Sequence, residues 1–253
     1  MKQIPNLFTL LNLVFGFMAI ICILQTSEMF VTQNDDSWLP QLPERIWLGS
    51  LFIGLAAIVD FLDGFIARLF KASSEMGRQL DSLADIVSFG VAPGLILYQL
   101  LRLSYMQETN GIDTALVLLL PAVLFPCAGA WRLARFNITD SGANGFTGVP
   151  IPAAGLVVAS LPLILFYDQF NASFLLLNKW FLYLIIVLLS MLMVSRWKFI
   201  SMKFTSKTIR GNLPKIILAA AAVISALLLQ WLAVPLVFVL YILISVTTKK
   251  TLQ

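Results

Sequence analysis

Four aspartates carry the chemistry in this sequence. Asp60 and Asp63 lie three residues apart, and Asp81 and Asp85 lie four apart. Residues at either spacing share one face of a helix, so each pair turns two carboxylates the same way. Between them the polar stretch Lys71 to Gly77 reads as a short turn. The two segments then form an antiparallel pair whose ends bring the aspartates together. Four neighbouring carboxylates repel, and Arg68 can offset only one of them. Binding cations is the plain way to keep the rest ionised. Carboxylate oxygens suit hard ions, which favours magnesium or manganese over zinc or copper, and four carboxylates can hold two ions. Gly64 and Gly77 have no side chains, so a ligand can approach the backbone there closely.

The elements that position these groups are membrane helices. Of the 253 residues, 59% are hydrophobic and only 12% charged, where a soluble domain carries about 25% charged residues. Mean hydropathy is +0.90. A spanning helix needs about 20 mostly apolar residues, and eight stretches qualify: 5–25, 46–68, 83–105, 114–136, 151–168, 176–196, 213–230 and 232–248. The last two are expected to form a tight hairpin, 213–248, broken near Pro235. The first stretch follows a single lysine and lacks a small-residue cleavage site, so it reads as a retained helix and not a signal peptide. With no repeat or low-complexity segment, residues 1–253 read as a single all-α membrane domain.

Charge placement orients the bundle. With the N-terminus inside, all of the 17 basic residues except Arg45, Arg102 and Lys179 fall on the inner side. The outer loops hold Glu28, Asp35, Asp36, Glu44, Glu108, Asp113 and Asp168. This is the bias of the positive-inside rule, and it places both ends in the cytoplasm. The basic cluster from Arg196 to Lys215 reads as a contact with an anionic leaflet, not with nucleic acid.

What is missing also matters. The chain has no histidine, which excludes a Ser-His-Asp triad, a phosphohistidine intermediate and a His-ligated zinc site. Cys22 and Cys127 both sit in apolar runs, so they read as buried small side chains. Aspartate within a span costs roughly 2.5–3.5 kcal/mol on insertion scales. Two such pairs around a glycine-bearing turn therefore mark a functional site.

The stretch around the aspartates resembles the signature of the CDP-alcohol phosphatidyltransferase family, D-x-x-D-G-x-x-A-R, eight residues, then G-x-x-x-D-x-x-x-D. Here it is Asp60, Asp63, Gly64, Ala67, Arg68, Gly77, Asp81 and Asp85, with every fixed position and spacing present. Further segments are similar to those of bacterial membrane-type phosphatidylserine synthases: Pro5-Asn6 with Thr9, Asn12 and Gly16; Asp81-Ser-Leu-Ala-Asp85 with Ser88-Phe-Gly-Val-Ala-Pro93; Arg132-Leu-Ala-Arg135-Phe-Asn137; and Phe146-Thr-Gly-Val-Pro-Ile-Pro-Ala-Ala154. The likeness thins in the last two spans.

The resemblance implies a polytopic bundle of about eight helices with a six-helix catalytic core. It implies metal-dependent transfer of the phosphatidyl group from CDP-diacylglycerol to the hydroxyl of L-serine, giving phosphatidylserine and CMP. Asp60, Asp63 and Asp81 would ligate metal, and Asp85 would complete a second metal site or act as general base. Two ions, Mg2+ or Mn2+, would bridge the pyrophosphate. Asp60, Asp63, Gly64, Ala67, Arg68, Gly77 and Asp81 would line the CDP-diacylglycerol site. Arg132 or Arg135 would grip the serine carboxylate, unless both are only positive-inside anchors. Asn6 and Thr9 would cap the first helix or touch the nucleotide, with capping and packing the preferred reading. The expected setting is a homodimer in a bacterial inner membrane with the site facing the cytoplasm. Two alternatives stand beside this: another acceptor, glycerol 3-phosphate or inositol, and an ion-coupled transporter using its aspartates as a cation site.

Overall fold

The computed structural model describes residues 4–25, 33–34, 37–38, 45–69, 74–107, 114–139, 146–168, 170–199 and 209–249. These are helical apart from short connections and two antiparallel pairings of two residues each. Helix α1 spans Ile4–Leu24 and α2 Ile46–Leu69. Next comes one continuous helical rod: α3, Glu75–Asp85; a π-helical segment, Ile86–Val91; and α4, Ala92–Met106. Then follow α5, Leu116–Leu119; a 3-10 turn, Leu120–Val123; and α6, Leu124–Thr139. Helices α7, Ile151–Tyr167, α8, Ser173–Leu176, and α9, Lys179–Val194, lead to a hairpin of α10, Ile209–Leu229, and α11, Ala233–Lys249.

Five described helical stretches are long and apolar enough to cross a membrane: Asn6–Leu24, Ile46–Ile66, Glu75–Met106, Leu116–Ile138 and Lys215–Thr247. The last is bent at its middle into α10 and α11, and α7 and α9 are shorter apolar helices. Each of the eight expected stretches thus corresponds to a helix of an all-α membrane bundle.

Two boundaries differ from expectation. The third span starts at Glu75 and not at 83, because Ser74 caps the helix: its hydroxyl accepts the Gly77 backbone N–H at 2.9 Å. A serine N-cap of this kind satisfies an orphan donor of the first turn. Gly77 is therefore inside a helix, and Asp81 and Asp85 sit on its second and third turns; residues 70–73 fall outside the described ones. The hairpin breaks at Gln230–Leu232 and not at Pro235. Gln230 takes a positive φ of 50°, while Pro235 lies in the first turn of α11, where a proline's missing N–H costs nothing.

The rod from Glu75 to Met106 is the centre of the bundle. Phe89, Ile96, Leu97, Leu100 and Leu101 are fully buried, together with Phe125 of α6, Ile151 of α7 and Ile186 of α9. Helix α1 packs along α2 and also against α3 and the π-helical segment. Helix α6 packs on α9, α2 on α7, and α11 on α7.

Glycines allow this closeness. A Cβ at Gly16 of α1 would stand 2.2 Å from the Ser88 hydroxyl, and one at Gly155 of α7 would stand 2.8 Å from the Phe89 carbonyl oxygen. Both press on the π-helical segment directly after Asp85. That segment follows the wider i to i+5 pattern at its end, where the Ala92 N–H donates to the Val87 carbonyl. The extra residue per turn re-aims the rod between its aspartate-bearing end and its apolar body.

Candidate active site

Asp60, near the end of α2, meets Asp81 and Asp85 of α3. Oxygens of these three carboxylates lie within 4.8 Å of one another. The second and third spans thus bring three of the four aspartates into one group, although α2 packs chiefly on α1 and α7 and only lightly on the rod. Asp63 lies outside that trio. It is buried and accepts a hydrogen bond from the Thr9 hydroxyl of α1.

Helix α1 is a wall of the site. Asn12 Nδ2 donates to Asp85 Oδ1 at 3.3 Å, and the Asn12 backbone carbonyl accepts from the Ser88 hydroxyl at 3.0 Å. Asn6 lies beside Gly77, its Oδ1 3.1 Å from where a Cβ would be. The expectation that Thr9 merely caps or packs is therefore corrected: its hydroxyl holds an aspartate of the signature. A sequence signal for this was present. Asn6, Thr9, Asn12 and Gly16 recur every three or four residues in an otherwise apolar helix, which is one face.

Two atoms mark the site as open to a ligand. Asn12 Oδ1 and Arg132 Nε are both buried and have no hydrogen-bond partner among the described residues. Buried polar groups are normally satisfied. The Asn12 oxygen sits on the amide whose Nδ2 holds Asp85, and the donor set that converges is the three carboxylates. All-oxygen sets of this kind fit a hard divalent cation. A Cβ at Gly64 would meet no atom of the described residues within 4 Å, its chain neighbours aside. Ala67 and Arg68 lie on α2, and their side chains fall outside the described ones.

The two arginines of α6 part company. Arg132 is buried, packs over the Phe136 ring at 6.0 Å, and acts electrostatically on Asp85. Arg135 points to the end of α9, where its Nη1 donates to the Val194 carbonyl at 2.8 Å. A cation on the last carbonyls of a helix is a capping interaction. The structure thus sets Arg132 toward Asp85 and Arg135 on the end of α9. On the next turn Asn137 Nδ2 donates to the Ser82 hydroxyl at 2.9 Å, tying α6 to α3 one residue beyond Asp81.

The Phe-Thr-Gly-Val segment grips the same end of α9. Phe146 and Thr147 pair with Phe199 and Lys198. Gly148 has φ +75°, and a Cβ there would lie 2.3 Å from the Met193 carbonyl oxygen, so only glycine fits. Its N–H donates to the Trp197 carbonyl at 2.9 Å.

Comparison with known proteins agrees with this arrangement. A family model for CDP-alcohol phosphatidyltransferases matches residues 2–192. The chain is 33% identical over 184 residues to a CDP-diacylglycerol–serine O-phosphatidyltransferase of Bacillus subtilis, covering 71% of this chain and 89% of that one. It is 35% identical over 202 residues to the protein of that name from Helicobacter pylori, covering 79% and 72% of the two chains. Against the Mycobacterium leprae protein of that name it is 39% identical over 151 residues, covering 57% and 46%. The matched region holds the whole aspartate signature, both arginines of α6 and the Phe-Thr-Gly-Val clasp, and the chain belongs to the CDP-alcohol phosphatidyltransferase family.

Proposed function

We propose that this protein makes phosphatidylserine, transferring the phosphatidyl group of CDP-diacylglycerol to the hydroxyl of L-serine and releasing CMP. The carrying observation is the convergence of Asp60, Asp81 and Asp85 within 4.8 Å beside a buried arginine. The names of the relatives supply the two substrates. Asp60, Asp63, Asp81 and Asp85 would hold divalent cations, Mg2+ or Mn2+ and two in number, with Thr9 and Asn12 orienting Asp63 and Asp85. Such ions neutralise charge on a pyrophosphate and on its departing phosphate.

The chain's own groups do the rest. The serine oxygen attacks the phosphorus that bears diacylglycerol, and the bond from that phosphorus to the CMP oxygen breaks. Asp85 takes the hydroxyl proton. Arg132 meets the serine carboxylate through two parallel N–H donors, a geometry that lysine cannot copy. Arg68, by its place in the signature, holds a phosphate of the nucleotide, and Gly64, Ala67 and Gly77 leave room for it. The lipid tails stay in the bilayer while the headgroup enters the polar end of the bundle. The positive-inside bias supports a cytoplasmic-facing site in a bacterial inner membrane, and the protein acts there as a homodimer. Residues 1–253 work as one domain.

The test measures CMP release by purified protein from CDP-diacylglycerol with serine, glycerol 3-phosphate or inositol, before and after chelation. Release is expected with serine alone, abolished by chelation and restored by magnesium or manganese. Release only with another alcohol overturns the acceptor. Full activity in metal-stripped protein overturns the metal reading.

A further inference from the structure

Helix α2 carries the aspartates on one face and borders an apolar groove with another. The groove holds about 420 Å³, within the range of small-molecule sites, about 300–1,000 Å³. Gly54 and Ile58 of α2, Ala159 and Leu163 of α7, and Trp231 and Val234 of the C-terminal hairpin line it. Two serines also border it, but each hydroxyl is used on its own helix. Ser50 donates to the Ile46 carbonyl at 3.5 Å, and Ser160 to the Val157 carbonyl at 2.7 Å. The lining is therefore apolar in effect. Its width comes from small residues: a Cβ at Gly54 would meet no atom of the described residues within 4 Å, its chain neighbours and helix backbone aside.

The groove leads to the aspartates. Ile58 lies two residues before Asp60, and Phe61, three residues after Ile58, continues the same face. Both side chains are exposed. In the other direction Ser50 lies ten residues before Asp60, about 15 Å along the helix axis. A lipid whose phosphate sits at Asp60 has its chains tied to that phosphate, and this face of α2 is a continuous apolar path away from the carboxylates.

The far end of the path is closed. The turn Gln230–Leu232 packs on α7, and Trp231 lies against the apolar core. Trp231 lines the groove on one side. On its other side is a gap of about 20 Å³ bordered by Ile164, Tyr167 and Phe170. The indole is thus a partition between the two spaces. One turn beyond Ser50 and Leu163, Trp47 of α2 meets Phe166 of α7 with ring centroids 5.7 Å apart, which closes the space between the helices at the same end.

We infer that this groove takes one acyl chain of CDP-diacylglycerol and that Trp231 ends it, so that the hairpin sets the longest chain accepted. The inference deepens the proposed function and rests on its donor, not on its acceptor. Trp231 lies outside the region matched by the family model, which ends at residue 192. A chain that reaches the indole with methylenes to spare must bend back or displace it. One methylene in an apolar pocket is worth about 10- to 200-fold in discrimination.

The experiment places full-length protein in mixed micelles holding equal amounts of dilauroyl, dipalmitoyl and diarachidoyl CDP-diacylglycerol, with serine. It reads the product ratio by mass spectrometry beside total CMP release. The wild-type protein is expected to discriminate against the longest donor. Trp231→Ala is expected to raise the long-to-short product ratio roughly 10-fold or more, the scale of a methylene in an apolar pocket. Gly54→Leu sets a side chain into open groove short of the indole. It is expected to lower that ratio, with KM for serine within about twofold of wild type. An unchanged ratio in Trp231→Ala overturns the proposal. A wild-type ratio in Gly54→Leu overturns it too, because the chain then lies elsewhere; if a dimer also falls apart in that variant, the groove is a contact between copies. Equal loss of all three products in both variants, with a lower thermal midpoint, overturns it in favour of packing. CMP release with another alcohol in place of serine overturns the acceptor and leaves the chain-length result standing, whereas no release from any of the three donors overturns both readings.

Discussion

The rod from Glu75 to Met106 and the hairpin from Lys215 to Thr247 are nearly equal in length, 32 and 33 residues, and both can cross a membrane. Yet 67% of the apolar stretch of the rod is buried in protein, against 11% of the hairpin's. The rod also carries more charge, since it begins with Glu75, Arg78, Asp81 and Asp85, against Lys215 alone in the hairpin stretch. In water the more apolar element would be the one driven inside. In lipid the tails are as apolar as leucine, so burial follows close backbone approach and polar contacts instead. The rod has both: Gly16 and Gly155 press on its π-helical segment, and Thr9, Asn12 and Asn137 anchor its surroundings. The hairpin has no glycine between Lys215 and Thr247, and it meets the bundle through α11 on α7.

The largest expected effect separates the rod from every other span. Asp81→Asn removes one carboxylate of the trio and should leave no measurable CMP release together with weakened binding of manganese, read by metal titration of the purified protein. Asp85→Asn should keep more of the metal affinity and lose roughly 10²- to 10⁴-fold in kcat, the scale of a lost proton acceptor. Wild-type turnover in Asp85→Asn would remove Asp85 from proton transfer and leave it as a ligand only.

A middle-sized effect tests whether close approach, and not apolarity, holds the rod. Gly155→Val adds apolar surface but sets a side chain where the Phe89 carbonyl stands 2.8 Å away and Phe89 Cα 3.1 Å. Overpacking of this kind costs about 1–3 kcal/mol. The thermal midpoint in detergent should fall, and activity with it, because the displaced π-helical segment begins one residue after Asp85. An unchanged midpoint would mean that α7 slides aside freely and that the glycine contact does not fix the rod.

Much of this was legible from composition and spacing. Long apolar runs located the helices, because nothing else in a chain of this kind satisfies twenty backbone groups in lipid. The aspartate pairs declared themselves because ionised groups are rare in spans. What escaped was whatever depends on neighbours distant in sequence. Asp63 and Asp85 are held by Thr9 and Asn12, 54 and 73 residues away; the polar face of α1 shows in its spacing, but not which carboxylates it meets. Arg132 and Arg135 read alike as two arginines on one helix end; only the arrival of the Val194 carbonyl beside one and Asp85 beside the other divides them. The start at Glu75 was missed because a hydropathy reading favours the apolar run over the polar turn that Ser74 caps. The break between α10 and α11 falls at Gln230–Leu232, between the expected stretches 213–230 and 232–248, and Pro235 lies just past it, where in a first turn a proline breaks nothing.

The smallest expected effect belongs to the outer face of the hairpin, and its smallness is what the comparison requires. Leu227 is 80% exposed and Leu228 71% exposed on α10. In water such a pair would be an anomaly; in lipid each methyl group exchanges one apolar neighbour for another. Leu227→Ala, alone or with Leu228→Ala, should therefore change thermal stability by no more than about 0.5 kcal/mol, as surface substitutions away from special features do. Both KM values and kcat should stay as they were, since the polar contacts of α11 lie on the face with Phe238, Tyr241 and Ser245. The measurement that sharpens this is the oligomeric state in mild detergent, followed beside activity. If the double substitution splits a dimer into monomers, the outer face is where two copies meet, and the low burial of the hairpin describes one protomer and not the assembly. If stability and assembly both hold, α10 faces lipid, and the hairpin meets the protein through the face of α11 that carries Phe238 and Tyr241.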